Sequence, residues 1–468
     1  MMFSRRTFLL GGSCAAFPYL IPGTVRGINP SSEKIHIGVI GCGRIACSMD
    51  MPGIEQNSEL AVVTAVSDCD RIRADYLKVR AESAFGTKVK TYARYRDLLA
   101  DPSIDAVMIC TPDFSHAEIA VAAALAGKDV YVQKPLAMSI SEGRAIVETF
   151  KRTGRIFHIG SQQRSEGRGT FGAVFRKAVE YVRDGRLGQI RSVEIGLPSD
   201  PPEPKDLPLR QPVPETFDWD AWQGRTPFAD YCELRSHPQG KDGAPNILSR
   251  PGWMTMQCYD LGMIANWGAH HLDIAQWALD AGGSGPVRVE GAADYPKRRL
   301  WDVHGKMRVL LSYPGGVQVN IAGTDRYPNG VRFIGDNGWI FCSRTSQKAL
   351  IPDPGAGGKH GRWRPLEASA RNLIEGEVAH PVVRNPSNHH RVWLESIKSR
   401  KPTNITPEEA HRSTSACILA YTAMKLGRPL TWNSAEERYV GDDEANRTLV
   451  LEERAPYGVH RLLNQQPR

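Results

Sequence analysis

Three clusters of residues in this chain have the types and spacing to do chemistry. The first is Gly41-Cys42-Gly43-Arg44-Ile45-Ala46, directly after the β-branched run from Lys34 to Ile40. Gly41 permits a tight turn, Gly43 lets the backbone approach a pyrophosphate, and Ala46 lets a helix pack on the strand with its N-terminus facing the negative charge. The second is Asp68, at the end of the apolar run Leu60 to Val66 and twenty-seven residues beyond Gly41. An acid there can hold both ribose hydroxyls of NAD and repels the extra phosphate of NADP. Arg71 and Arg73 follow closely and could grip that phosphate, so NAD is expected and NADP is less favoured. The third cluster is split between Lys134, in Gln133-Lys134-Pro135, and the run Asn266-Trp267-Gly268-Ala269-His270-His271-Leu272-Asp273. Residues four apart share a helix face, so Asn266 and His270 should point the same way, with Asp273 a turn below to orient the His270 ring. Lys134 and His270 can take a proton from a hydroxyl whose carbon gives up a hydride. A His pair followed by one Asp suggests no fourth ligand, and no metal is expected.

The elements that must position these groups alternate in the first part of the chain. Ala106 to Cys110 and Asp129 to Val132 read as buried strands, and Ile119 to Ala126 as a helix closed by Gly127. Strands alternating with helices predict a doubly wound parallel sheet, with Thr111, Pro112, Gln133 and Lys134 edging one crevice at its carboxyl ends. Past residue 156, alternating stretches at 190–195, 287–291, 306–312 and 317–321 lie between turns, which predicts a largely antiparallel open sheet. The expected organisation is α/β: a leader over 1–30, a Rossmann domain over 31–155, and an α+β substrate and oligomerisation domain over 156–468 with a Pro/Trp-rich insertion at 198–255. Trp219, Trp222 and Trp253 of that insertion either stack on sugar faces or, more simply, anchor the segment to its own core.

The series Gly41-x-Gly43-x-x-Ala46, Asp68, Thr111-Pro112-Asp113-Phe114-Ser115-His116, Gly127-Lys128 and Gln133-Lys134-Pro135 resembles the Gfo/Idh/MocA oxidoreductases. The resemblance continues through Gly160-Ser161-Gln162-Gln163-Arg164 and the run Gly262 to Trp277, and is nearest to the exported branch with glucose–fructose oxidoreductases and NAD-dependent α-N-acetylgalactosaminidases. It implies a proton-sharing set of Lys134, Asn266 and His270. It also implies a cofactor shell that adds Arg44, Ile45, His116 and Gln162 to Gly41, Gly43, Asp68, Thr111, Pro112, Gln133 and Lys134, and a substrate side with Arg164, Trp253 and His271, although His271 is more simply read as packing on or bonding to the neighbouring sheet. Two residues depart from the family pattern, since Gln133 and Asn266 stand where it has Glu and Asp. Each amide keeps the shape of the carboxylate and loses its ability to accept a full proton. Three functions follow: carbohydrate redox chemistry with bound NAD, glycoside cleavage by oxidation, elimination and hydride return, or a non-catalytic NAD and sugar binder.

Composition bounds these readings. With 468 residues, 41% hydrophobic and 24% charged, the chain is an ordinary folded protein of two or three domains. Lys and Arg number 59 against 51 acids, without a basic block, so no nucleic acid is expected. The nine cysteines contain no C-x-x-C pair and read as buried small hydrophobes. Ser4-Arg5-Arg6-Thr7-Phe8-Leu9 before a short apolar run is the pattern of a twin-arginine export signal. It predicts a periplasmic or otherwise exported protein with no stable membrane span once the signal is removed. The expected partners are a small carbohydrate and further copies of the chain in a homo-oligomer.

Overall fold

The computed structural model describes residues 34–165, 170–240, 244–348, 362–379, 381–383 and 388–464. The expected leader, with Arg5, Arg6 and Cys14, lies outside them. Six runs rich in β-branched and apolar residues form strands: β1 Ile35–Ile40, β2 Ala61–Ser67, β3 Lys90–Tyr92, β4 Ala106–Ile109, β5 Asp129–Val132 and β6 Phe157–Ile159. All pair parallel in the order β3-β2-β1-β4-β5-β6, that of a doubly wound dinucleotide fold. β4 and β5 are buried throughout, as strands covered by helices on both faces must be. Because Val130 pairs with Phe157, this sheet runs past the boundary expected at residue 155.

The helix after the glycine loop widens into a π turn over Ala46–Asp50, and Asp50 ends fully buried. The helix Ile140–Thr153 begins in a capping box, Ser139 with Glu142, and stops at Gly154 in the left-handed region.

The second sheet has nine strands. It contains β7 Ile190–Leu197, β8 Arg288–Ala293, β9 Met307–Ser312, β10 Gln318–Gly323, β11 Gly330–Gly335 and β12 Gly338–Cys342, with Leu366–Ala368 beyond β12 and Leu430–Asn433 and Arg438–Tyr439 beyond β8. Only β7 and β10 pair parallel. The helices Gly268–Ala278 and Pro407–Leu426 pack against this sheet, and Pro407–Leu426 also packs on Ile140–Thr153. One helix therefore ties the Rossmann layer to the substrate sheet, and Thr414 Oγ1 accepts a hydrogen bond from Leu136 N, two residues past Lys134.

The insertion at 198–255 has little regular structure in its described residues and folds onto the Rossmann sheet. Asp218 N donates to Cys69 O at 2.8 Å and Arg71 N to Thr216 O at 2.9 Å. Trp219 and Trp222 stack on each other at 4.8 Å and sit among Phe217, Tyr231 and Phe114, so they anchor the segment to its own core. No described helix is long and apolar enough to cross a membrane. The eight described cysteines are free.

Candidate active site

The glycine loop is built for close approach. Gly41 has a φ of +88°, and a Cβ there would lie 2.7 Å from the Cys110 and Thr111 backbone. A Cβ on Gly43 would meet nothing nearer than 3.9 Å, which leaves room at the helix N-terminus for a pyrophosphate. Asp68 closes the loop, one carboxylate oxygen accepting from Cys42 N at 2.7 Å and the other from Asp70 N at 2.8 Å. Burial pushes its carboxyl up to about 6, against those two backbone donors. Arg73, a candidate phosphate ligand, is tied to the insertion through Pro238 O at 3.2 Å and Asn246 O at 3.1 Å, and Arg71 is exposed and does not line the cavity. His237 Nε2 lies 3.1 Å from Asp70 Oδ2, so the insertion covers the Asp68 end of the crevice.

One cavity is lined by Gly41, Gly43, Arg44, Ile45, Asp68, Thr111, Pro112, His116, Gln133, Lys134, Asn266 and Trp253. Within it, Lys134 Nζ donates to Asn266 O at 2.9 Å. Burial pulls the lysine below its ordinary range, opposed by Asp113 and Asp260. His116 contributes ring surface; its nitrogens lie 2.7 Å from Pro135 O and 2.9 Å from Thr111 O, the neutral ring donating to one of them, and so it stands between the two loops that carry Lys134 and Asp113. The amide nitrogen of Gln133 donates to Asp50 at 2.7 Å. Asp50 is also approached by His390 Nε2 at 2.9 Å and by the Tyr131 hydroxyl at 3.2 Å. Gly160 makes space for Gln133, since a Cβ there would stand 2.5 Å from Gln133 Oε1.

Five expectations are corrected. Arg164 faces no substrate: its guanidinium makes a two-pronged pair with Asp273 at 2.7 and 2.8 Å and is 2% exposed. That pair, with Ser413 Oγ at 2.9 Å, also takes Asp273 away from His270. Gln162 turns from the crevice and donates to the Tyr131 hydroxyl at 3.1 Å. His271 is rotated inward by helix geometry, packs beside Trp267 and Phe175, and reaches no ligand space. The helix itself breaks at Trp267 into Met263–Asn266 and Gly268–Ala278, so Asn266 lines the cavity and His270 stands back from its wall. The half-buried His270 ring is held far below its usual range, first by desolvation and then by Arg344 and Lys134.

Three carboxylates escaped sequence reasoning. Asp260 accepts Asn266 Nδ2 at 2.6 Å and Gly262 N at 2.8 Å, and burial near Asp113 pushes its carboxyl well up. Asp113 lines the cavity beside Lys134, and Asp50 stands behind Gln133. The signal for Asp113 was its place directly after a strand end in Thr111-Pro112-Asp113. Asp50 and Asp260 carry no comparable signal.

Comparisons with known proteins show the family and the fold. Residues 35–161 match the model of the Gfo/Idh/MocA oxidoreductase family's NAD-binding Rossmann fold, and residues 205–354 and 361–459 match that of the same family's C-terminal alpha/beta domain. The myo-inositol 2-dehydrogenase of Thermotoga maritima is 30% identical over 172 residues, 37% of this chain and 48% of that protein. An uncharacterised oxidoreductase of Rhizobium meliloti is 32% identical over 163 residues, 35% of this chain and 45% of that one. The matches therefore span about half the length of these curated relatives. Among solved structures, an aldose–aldose oxidoreductase from Caulobacter crescentus with glycerol superposes with a TM-score of 0.58 at 19% identity, covering 85% of this chain and 100% of that one. Levoglucosan dehydrogenase with NADH and levoglucosan gives 0.56 at 16% identity, covering 85% and 99%. These two share the fold. With both family models matched across most of its length, the chain belongs to the Gfo/Idh/MocA family of oxidoreductases.

Proposed function

We propose that this protein is an exported oxidoreductase that acts on a hydroxyl group of a sugar or polyol, with NAD held in the cavity. The observation that carries the reading is the convergence of the glycine loop, Asp68, Lys134 and Asn266 on that one cavity. Gly41 and Gly43 would face the pyrophosphate, Asp68 the adenosine ribose, and Gln133 the ribose nearer Lys134. NAD bound there supplies the carbon that accepts a hydride. The chain's own groups do the rest. Lys134 donates toward the substrate oxygen, and Trp253 offers a half-buried aromatic face to a sugar ring.

Relatives described as an inositol dehydrogenase, an aldose–aldose oxidoreductase and a levoglucosan dehydrogenase favour a carbohydrate hydroxyl. None of them is described as a glycosidase, and the reading includes no cleavage of a glycosidic bond. The two lost carboxylates that favour a non-catalytic binder are offset by Asp50 and Asp260, each one hydrogen bond behind the replacing amide. The twin-arginine pattern supports export to the periplasm, where no NAD pool replenishes the enzyme. The bonds from the insertion beside Asp68 support a cofactor that stays bound, and the open nine-stranded sheet supports a homo-oligomer. Denaturing extraction of protein purified without added cofactor, followed by mass analysis, tests the reading. NAD in near-stoichiometric amount is expected; protein free of dinucleotide, or carrying mainly NADP, contradicts it.

A further inference from the structure

We propose that Asp113 is the carboxylate that takes the proton from the substrate hydroxyl, in the role that Asn266 has lost. This rests on the functional reading above. Asp113 opens the single turn Asp113–Ser115, four residues past the end of β4, and Lys134 stands two residues past the end of the neighbouring strand β5, so topology sets both at the same rim. Both line the cavity with Asn266. Asp113 is 4% exposed, and its Oδ2 has no hydrogen-bond partner among the described residues. A carboxylate oxygen hidden from water without a donor is costly to maintain and awaits one. A substrate hydroxyl bridging Lys134 and Asp113 supplies it.

The other acids of the site are engaged. Asp260 already accepts Asn266 Nδ2 and Gly262 N, and both oxygens of Asp68 accept backbone N–H groups at the other end of the crevice. Lys134 as an ammonium has donors only, so a separate acceptor is required. The charged groups that act on Asp113 are Lys134, Arg250 and Asp260. Burial outweighs the two cations and pushes the Asp113 carboxyl up to about 7.

The proton step balances as follows. The substrate O–H bond breaks and an O–H bond forms on Asp113. The freed electron pair becomes the second C–O bond as the hydride leaves the carbon for the oxidised nicotinamide, and the carboxyl later returns its proton to solvent. The sign of the pH dependence follows: above about pH 7 the carboxylate is ready to accept, and below it the protonated form cannot.

The test uses the full protein with its bound NAD, in the wild type, Asp113→Asn and Asp113→Glu. Infrared difference spectra across the neutral range should show a protonated-carboxyl band that titrates near pH 7 in the wild type and is missing in D113N. Reduction of the bound NAD by a panel of inositols and aldoses should fall roughly 10²–10⁴-fold in D113N and lose its acid limb, with NAD content unchanged. D113E should recover part of both. Wild-type turnover and pH profile in D113N, or infrared difference spectra of D113N identical to those of the wild type, overturn the proposal. If wild-type protein holds no NAD, the functional reading fails instead, and the infrared titration still decides whether Asp113 takes up a proton near neutrality.

Discussion

Lys134 and Arg164 are both cations withdrawn from water, and they differ in what surrounds them. Arg164 is closed: Asp273 meets its guanidinium with two oxygens, Trp277 covers it at 5.0 Å, and Ser413 holds the acid. Lys134 is open. Its ammonium touches a main-chain carbonyl, the acids that attract it make no ion pair with it among the described residues, and it borders a cavity. The first arrangement satisfies its own charges and fixes the joint between the two sheets. The second leaves charges to be satisfied by something that enters, which distinguishes a reactive group from a structural one better than residue type does.

The largest expected effect comes from breaking the open side. Lys134→Met should lower single-turnover reduction of bound NAD by roughly 10²–10⁴-fold, with circular dichroism and NAD content close to wild type. Turnover near wild type would remove Lys134 from the chemistry. Breaking the closed side should do the reverse. Arg164→Met leaves Asp273 buried without its partner and should cost about 3–5 kcal/mol of stability, read as a fall in the denaturant midpoint, while any folded fraction still turns over. A variant as stable as wild type would mean that the pair is not structural.

The same comparison shows what was legible in the sequence. The parallel sheet, the glycine loop, Asp68 and Lys134 could be read because each motif sits at a strand end and the topology of alternating strands and helices fixes where that end goes. Thr111 and Gln133 were placed at one rim on that ground alone. Arg164, Gln162 and His271 were misplaced because a motif gives no rotation: each belongs to the right segment and faces its interior. Asp50 and Asp260 were invisible because they reach the site through hydrogen bonds to Gln133 and Asn266, a relation with no spacing rule. For the insertion, composition gave the extent of the segment and the anchoring of Trp219 and Trp222, whereas its path across Asp70 and Arg73 depends on tertiary contacts.

A smaller effect is expected at the nucleotide end. Asp68→Ala should weaken NAD binding by about 1.5–3 kcal/mol, measured as a faster loss of NAD on dialysis with Lys134 chemistry unchanged in reloaded protein. An unchanged NAD content would place the ribose elsewhere. The smallest effect is at the strap. Arg73→Ala removes two hydrogen bonds to the insertion and should accelerate NAD release by about tenfold, equivalent to about 1.4 kcal/mol. A release rate equal to wild type would mean that the insertion does not retain the cofactor.

The most direct test of the central claim follows the hydrogen itself. Protein carrying its own NAD is mixed with inositols and aldoses deuterated at their carbinol carbons, quenched, and the dinucleotide examined by mass spectrometry and NMR. The account predicts NADH carrying deuterium on the nicotinamide ring with a ketone or lactone product formed in equal amount. Bound NAD that stays oxidised and unlabelled across the panel would contradict it.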